Sequence, residues 1–113
     1  NYTHQPQMLE QALSHSLVIY LALDGDAVVG LIRLVGDGFS SVFVQDLIVL
    51  PSYQRQGIGS LLMKEALKDY KDAYQVQLVT EQTEKNVGFY RSIGFETLST
   101  YDCIGMIWVD REK

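Results

Sequence analysis

The chain has few of the residues that cross-link, kink or heavily charge a fold. One cysteine, Cys103, and two prolines stand among its 113 residues. A single thiol closes no internal disulfide, which suits a reducing compartment such as the cytoplasm. The two histidines, His4 and His15, lie in the N-terminal stretch far from Cys103, so no metal-ligating cluster is expected. Basic residues are outnumbered, nine Lys and Arg against fourteen Asp and Glu, for a formal net charge of −5. Nucleic acid and anionic membrane surfaces recruit clustered Lys and Arg, so neither is an expected partner. A cationic substrate such as an amine is compatible with this charge. No apolar run approaches the ~20 residues of a membrane-spanning helix, and no signal peptide is visible. The chain opens at Asn1 rather than Met, so a targeting segment ahead of it stays an open alternative.

What is present fits one folded domain spanning 1–113. Apolar residues make up 47% and charged ones 20%, enough to build a core and too little charge for a disordered chain. Residues 6–15 read as a short helix, with Met8, Leu9, Ala12 and Leu13 on one side. Leu17–Leu23 and Ala27–Val35 read as strands joined by the turn Asp24-Gly25-Asp26. Gly36-Asp37-Gly38 makes a second turn into a third strand, Ser41–Leu50, which Pro51 ends. From Gly57 to about Lys71 the apolar residues Gly59, Leu62, Met63, Ala66, Leu67 and Tyr70 recur at helical spacing. Gln75–Thr80 is a short strand, 84–92 a short helix closed by Gly94, and Phe95–Tyr101 and Ile104–Val109 are the expected closing strands. Tight turns make the early strands antiparallel, and the strand–helix–strand unit at 41–80 implies a parallel crossover. The expected class is α+β with a mixed sheet.

The stretch Gln54-Arg55-Gln56-Gly57-Ile58-Gly59 sits where that third strand gives way to the helix. N–H groups at a helix start lack intrahelical partners and carry the positive end of the helix dipole. Glycines there let phosphates approach the main chain, so the stretch is a place to hold a pyrophosphate. It lacks the Lys-Ser/Thr of a P-loop and the third glycine of a dinucleotide fingerprint, which disfavours those nucleotide-binding folds.

Gln54-x-x-Gly57-x-Gly59, inside D-L-I-V-L-P-S-Y-Q-R-Q-G-I-G-S-L-L-M, resembles the signature of the Gcn5-related N-acetyltransferases. Gly88-Phe89-Tyr90-Arg91-Ser92-Ile93-Gly94-Phe95 resembles a later segment of the same family, in the right order and at the right spacing. The likeness runs over roughly residues 15–109. It implies the family's fold: a mixed, mostly antiparallel sheet with a central pair of splayed parallel strands, here 41–50 and 75–80, flanked by helices. The family's opening strand and first helix are absent or reduced to residues 1–15.

The resemblance further implies acetyl-CoA as cosubstrate and a small-molecule or peptide amine as acceptor. The reaction would be direct attack in a ternary complex, without a metal. The pantetheine arm would pair with backbone near Leu47, Ile48 and Val49. The pyrophosphate would sit on N–H groups of residues 55–60, with Gln54, Arg55, Gln56, Gly57, Ile58, Gly59 and Ser60 forming the cradle. Tyr90 is the expected acid for the departing thiolate; read without the motif, it is a core aromatic. Asp46 and Glu81 are candidates for accepting the amine proton through water, against a loop-capping carboxylate and a solvated strand end. Arg55 either pairs with a CoA phosphate or faces solvent. Asn86 either caps the second short helix or touches the pantetheine. Thr83 stands where the family usually has asparagine and is a weak replacement for it. Tyr2, His4 and His15 fall where the family shapes its acceptor site, although His15 also reads as a surface residue at a helix end. Cys103 reads as a small buried or turn residue. Met106 and Trp108 read as core or as a homodimer interface. The rival to an enzyme is a non-catalytic acyl-CoA-binding module of the same fold.

Overall fold

A computed structural model describes residues 6–110. The chain divides after Val79 into two compact units, Asn1–Val79 and Thr80–Lys113. The first holds α1 (Pro6–Ser14), β1 (Val18–Asp24), β2 (Ala27–Gly36), β3 (Ser41–Val49), α2 (Ile58–Leu67) and β4 (Gln75–Leu78). The second holds α3 (Glu84–Ile93). The sheet has four strands in the order β1-β2-β3-β4. The first two pairings are antiparallel and β3–β4 is parallel. This is the α+β class and mixed sheet expected from the sequence.

Local chemistry explains the connections. β1 and β2 close through Gly25-Asp26, with Asp24 opposite Ala27. The β2–β3 turn is organised by Asp37, whose Oδ1 accepts from the N–H groups of Phe39, Ser40 and Ser41 at 2.8, 2.8 and 3.1 Å. The Ser40 hydroxyl donates to Oδ2. Those donors stabilise the charged carboxylate and hold its pKa well below the usual range.

α2 packs on β1, β2 and β3. A Cβ at Gly30 would lie 3.2 Å from Leu62 and 3.3 Å from Ile58, so this glycine lets the start of α2 press close to the sheet. Ile32 and Leu34 follow on the same face of β2, and Val42 and Val44 join them from β3. They bury against Leu62, Met63 and Ala66 of α2, each large side chain contributing about 1.5–3 kcal/mol. α2 is shorter than the apolar stripe suggested. It stops at Leu67, after which Tyr70 N–H donates to the Leu67 carbonyl and Ala73 N–H to that of Tyr70. Tyr70 still packs, its ring lying over Gly38 from a turn rather than from a helix.

On the sheet face away from α2, Arg33 is only 5% exposed and its Nε lies 2.8 Å from Asp46 Oδ2. A second guanidinium nitrogen of Arg33 donates to Ser16 Oγ at 3.2 Å, and that hydroxyl donates to the Ala12 carbonyl at 2.8 Å. The buried cation thus ties the end of α1 to β3.

In the second unit, Thr83 Oγ1 accepts from the Asn86 N–H at 3.1 Å and caps α3. Gly94, with φ of 119°, ends the helix. The expected strands Phe95–Tyr101 and Ile104–Val109 do not form. Leu98–Tyr101 winds into a 3-10 turn, and no regular structure follows it through residue 110. The cause lies in the short polar side chains. Thr97 Oγ1 lies 3.1 Å from Ser99 Oγ and 3.2 Å from Thr100 Oγ1, and Glu96 Oε1 accepts from the Thr97 N–H. Such local bonds compete with a ladder. The reading of Met106 and Trp108 as core residues is corrected too, since they are 91% and 78% exposed.

Candidate active site

β4 pairs with β3 only from Ser41↔Gln75 to Val44↔Leu78, whereas β3 continues to Val49. Beyond Val44 the β4-facing edge of β3 has no strand partner among the described residues. A bulge sits at that point: Leu34 faces Val44 and Arg33 faces Asp46, leaving Gln45 as the extra residue. A bulge bends its strand and disrupts pairing locally. Leu47, Ile48 and Val49, the expected pantetheine edge, lie just past the bend, with Ile48 55% exposed. The first unit therefore contains the parallel pair that the resemblance implied, at the β4 edge of the described sheet, with β3 running on past the last residue of β4.

The chain then runs through a 3-10 turn, Pro51–Tyr53, and an extended Gln54. Arg55 and Gly57 both take left-handed backbone, with φ of 65° and 81°. A side chain at residue 57 would meet nothing within 4 Å, so the glycine is required for its φ and not for space. The first helical bond of α2 is Leu61 N–H to the Gly57 carbonyl at 3.0 Å. The N–H groups of residues 55–60 have no acceptor among the described residues, and Gly57 offers no side-chain cap. Left-handed residues within a turn that leads into a helix start form a concave nest of donors suited to an anion.

The polar side chains of this loop mostly build it. Gln54 Nε2 donates to the Val49 carbonyl at 3.0 Å, and Gln56 Nε2 to that of Ser52 at 3.4 Å. The Tyr53 hydroxyl donates to Asp24 Oδ2 at 2.5 Å, and that hydrogen bond to a carboxylate raises the phenol's pKa. Arg55 and Ser60 are exposed, and Arg55 makes no ion pair among the described residues.

In the second unit Tyr90 is half-buried between two aromatic edges. Its ring centroid lies 5.0 Å from Phe89 and 6.0 Å from Phe95, at interplanar angles of 74° and 78°. Burial raises its pKa, opposed in part by a hydrogen bond with Thr80. The phenol therefore stays protonated through the neutral range and can serve as a proton donor. Glu81 is exposed, and its carbonyl accepts from the Thr83 N–H at 2.9 Å and from Asn86 Nδ2 at 3.2 Å. Asn86 is not the cap of α3; Thr83 is, because its hydroxyl precedes the first helical residue.

Asp46 caps no loop but pairs with Arg33. Sequence reasoning missed Arg33, although a single charge inside the apolar run 28–35 is the mark of a buried ion pair. Asp24 and Tyr53 were missed as well, and nothing in their local sequence links them. His15 is exposed at the end of α1, with Nδ1 2.8 Å from the Gln11 carbonyl. Cys103 is exposed rather than buried and follows the turn that ends at Asp102. Tyr2 and His4 lie outside the described residues. Among the described residues no group of three or more His, Cys, Asp or Glu could hold a metal ion.

Comparisons with known proteins converge on this geometry. The family model for an acetyltransferase (GNAT) domain matches residues 15–97. Serotonin N-acetyltransferase 2, chloroplastic, of Oryza sativa is 32% identical over 95 residues, covering 80% of this chain and 48% of the relative. The chain thus spans about half the length of the curated relatives it matches. A solved GNAT-family acetyltransferase of Streptococcus pneumoniae TIGR4 superposes with a TM-score of 0.90 at 88% identity, covering 93% of this chain and 80% of that one. Arabidopsis thaliana Naa50, in complex with the bisubstrate analogue CoA-Ac-MVNAL, superposes with a TM-score of 0.64 at 25% identity, covering 80% and 65%. With a parallel β3–β4 pair, a donor nest at the start of α2 and a family model that matches most of its length, the chain belongs to the GNAT acetyltransferase family.

Proposed function

We propose that this protein transfers the acetyl group of acetyl-CoA to a primary amine by direct attack in a ternary complex. The observation that carries this reading is the run of N–H groups at 55–60 with no acceptor among the described residues, beside an edge of β3 with no strand partner among them. Main-chain donors at 55–60 hold the diphosphate, and Arg55 adds an exposed positive charge. The backbone of Leu47, Ile48 and Val49 pairs with the pantetheine arm. The similarity to Naa50, whose solved complex holds a CoA-linked peptide, supports both the cosubstrate and an amine acceptor.

In the chemical step the amine nitrogen bonds to the thioester carbonyl carbon, and the carbon–sulfur bond breaks as the tetrahedral intermediate collapses. A backbone N–H near Ile48 or Val49 stabilises the oxyanion. Tyr90 donates its phenolic proton to the departing thiolate, in keeping with a phenol held protonated by burial. Asp46 or Glu81 receives the amine proton through water; an unchanged pH–rate profile in the Asp46→Asn/Glu81→Gln double variant would exclude both. A cytoplasmic setting fits the single thiol. Among the described residues, no helix is long and apolar enough to cross a membrane. The exposed apolar segment 104–109 supplies a homodimer contact in this reading.

The test is thiol release from acetyl-CoA with a panel of small amines and peptide N-termini. Turnover is expected with at least one acceptor, and Tyr90→Phe is expected to lower it at least ~10-fold, below the ~100-fold at which loss of a general acid typically starts, with little change in acetyl-CoA affinity. Tight CoA binding without turnover on any acceptor would favour a non-catalytic module.

A further inference from the structure

We infer that Asp24 and Tyr53 form a strut that positions the diphosphate-binding loop. This rests on the reading of residues 55–60 as the diphosphate cradle. Asp24 ends β1 at the tip of the first hairpin, and Tyr53 ends the 3-10 turn that leads into the cradle. Their side chains meet across 29 residues of sequence, the phenol donating to Oδ2 at 2.5 Å.

The strut answers a conformational problem. Two residues after Tyr53, Arg55 takes φ of 65°, a region that non-glycine residues avoid and keep only where their surroundings over-determine it. On one side of the loop, Gln54 Nε2 bonds the Val49 carbonyl and Gln56 Nε2 bonds that of Ser52. The second lies within the loop and would move with it; the first reaches only the adjoining end of β3. The Tyr53–Asp24 bond alone among these anchors the loop to a distant hairpin, which is itself fixed by the β1–β2 ladder.

Two effects of Asp24 on CoA have opposite signs. As a nearby negative charge it would repel a diphosphate, so its removal would tighten binding. As a strut it preorganises the donors, so its removal loosens binding. The strut predicts loosening.

The experiment is calorimetric titration of the full chain and of Asp24→Ala, Tyr53→Phe and the double variant with CoA, and with pantetheine, which lacks the diphosphate. Each single variant is expected to weaken CoA by about threefold to tenfold, as for loss of one hydrogen bond. The double variant should lose no more than either single, as one shared contact requires, while pantetheine binding stays as in the parent. Asp26→Asn, at the same hairpin tip, should leave CoA binding unchanged or slightly tighter. CoA affinity that is unchanged or improved in Asp24→Ala and Tyr53→Phe overturns the strut alone. So does an equal loss for pantetheine. A parent chain that does not bind CoA overturns the cradle reading and the strut together.

Discussion

Replacing Gly57 by alanine should impair CoA binding without crowding any other residue of the chain. The residue holds φ of 81°, and a Cβ built on it meets nothing within 4 Å. The cost is therefore conformational, about 1–2 kcal/mol for a left-handed alanine. That strain can surface in two places. If the loop keeps its shape without ligand, the folded chain loses that much stability, and each kcal/mol lowers Tm by roughly 4–8 °C in a domain of this size. If the loop relaxes instead, the strain reappears on binding as a CoA affinity weaker by about five- to thirtyfold. The two losses together should total the same 1–2 kcal/mol. Gly57→Asn is the control, because asparagine tolerates the left-handed region better than alanine and should recover most of the loss. The assays are calorimetric Kd for CoA and Tm by circular dichroism. Alanine and asparagine variants that match the parent in both would refute the left-handed cradle. Equal losses in affinity with Tm unchanged in both would point instead to a side chain crowding the bound diphosphate.

Two further outcomes follow from the packing. Asp46→Ala removes the carboxylate paired with Arg33, which is 5% exposed while Asp46 is 22% exposed; the guanidinium keeps its bond to Ser16, so the loss should be about 2–3 kcal/mol by denaturant unfolding, below that of a fully buried pair. Asp37 has its folded pKa depressed by donors from Ser40 and the turn N–H groups, so its stabilising contribution is present above the unfolded carboxylate pKa and fades as pH falls through the folded one. Asp37→Ala should lower Tm at neutral pH and flatten the dependence of Tm on pH below about 4; an unchanged slope would separate the turn from acid stability.

Much of the first unit was legible because period and turn chemistry agreed. Asp-Gly marked the hairpin, Pro51 ended β3, and the stripe Leu62-Met63-Ala66 chose the buried face of α2. The nest could be placed because glycines at the junction of strand and helix serve one backbone purpose. The end of α2 was misjudged because Tyr70 keeps the apolar phase while packing from a turn. The closing strands were misjudged because a run beginning after Gly94 with Phe95 does not say whether Thr97, Ser99 and Thr100 will bond to each other. Within the site, the main-chain roles were readable and the side-chain pairings were not. Arg33 with Asp46, and Tyr53 with Asp24, meet only once the ladder registers are known. Thr83, rather than Asn86, capped α3 because the cap position depends on where the helix begins, to the residue.

The most direct test of the whole account is the amide spectrum of the 15N-labelled chain titrated with CoA and with pantetheine. The N–H signals of residues 55–60 should shift most with CoA and hardly at all with pantetheine, while those of 47–49 should respond to both. Signals at 55–60 that stay still while CoA binds would contradict it.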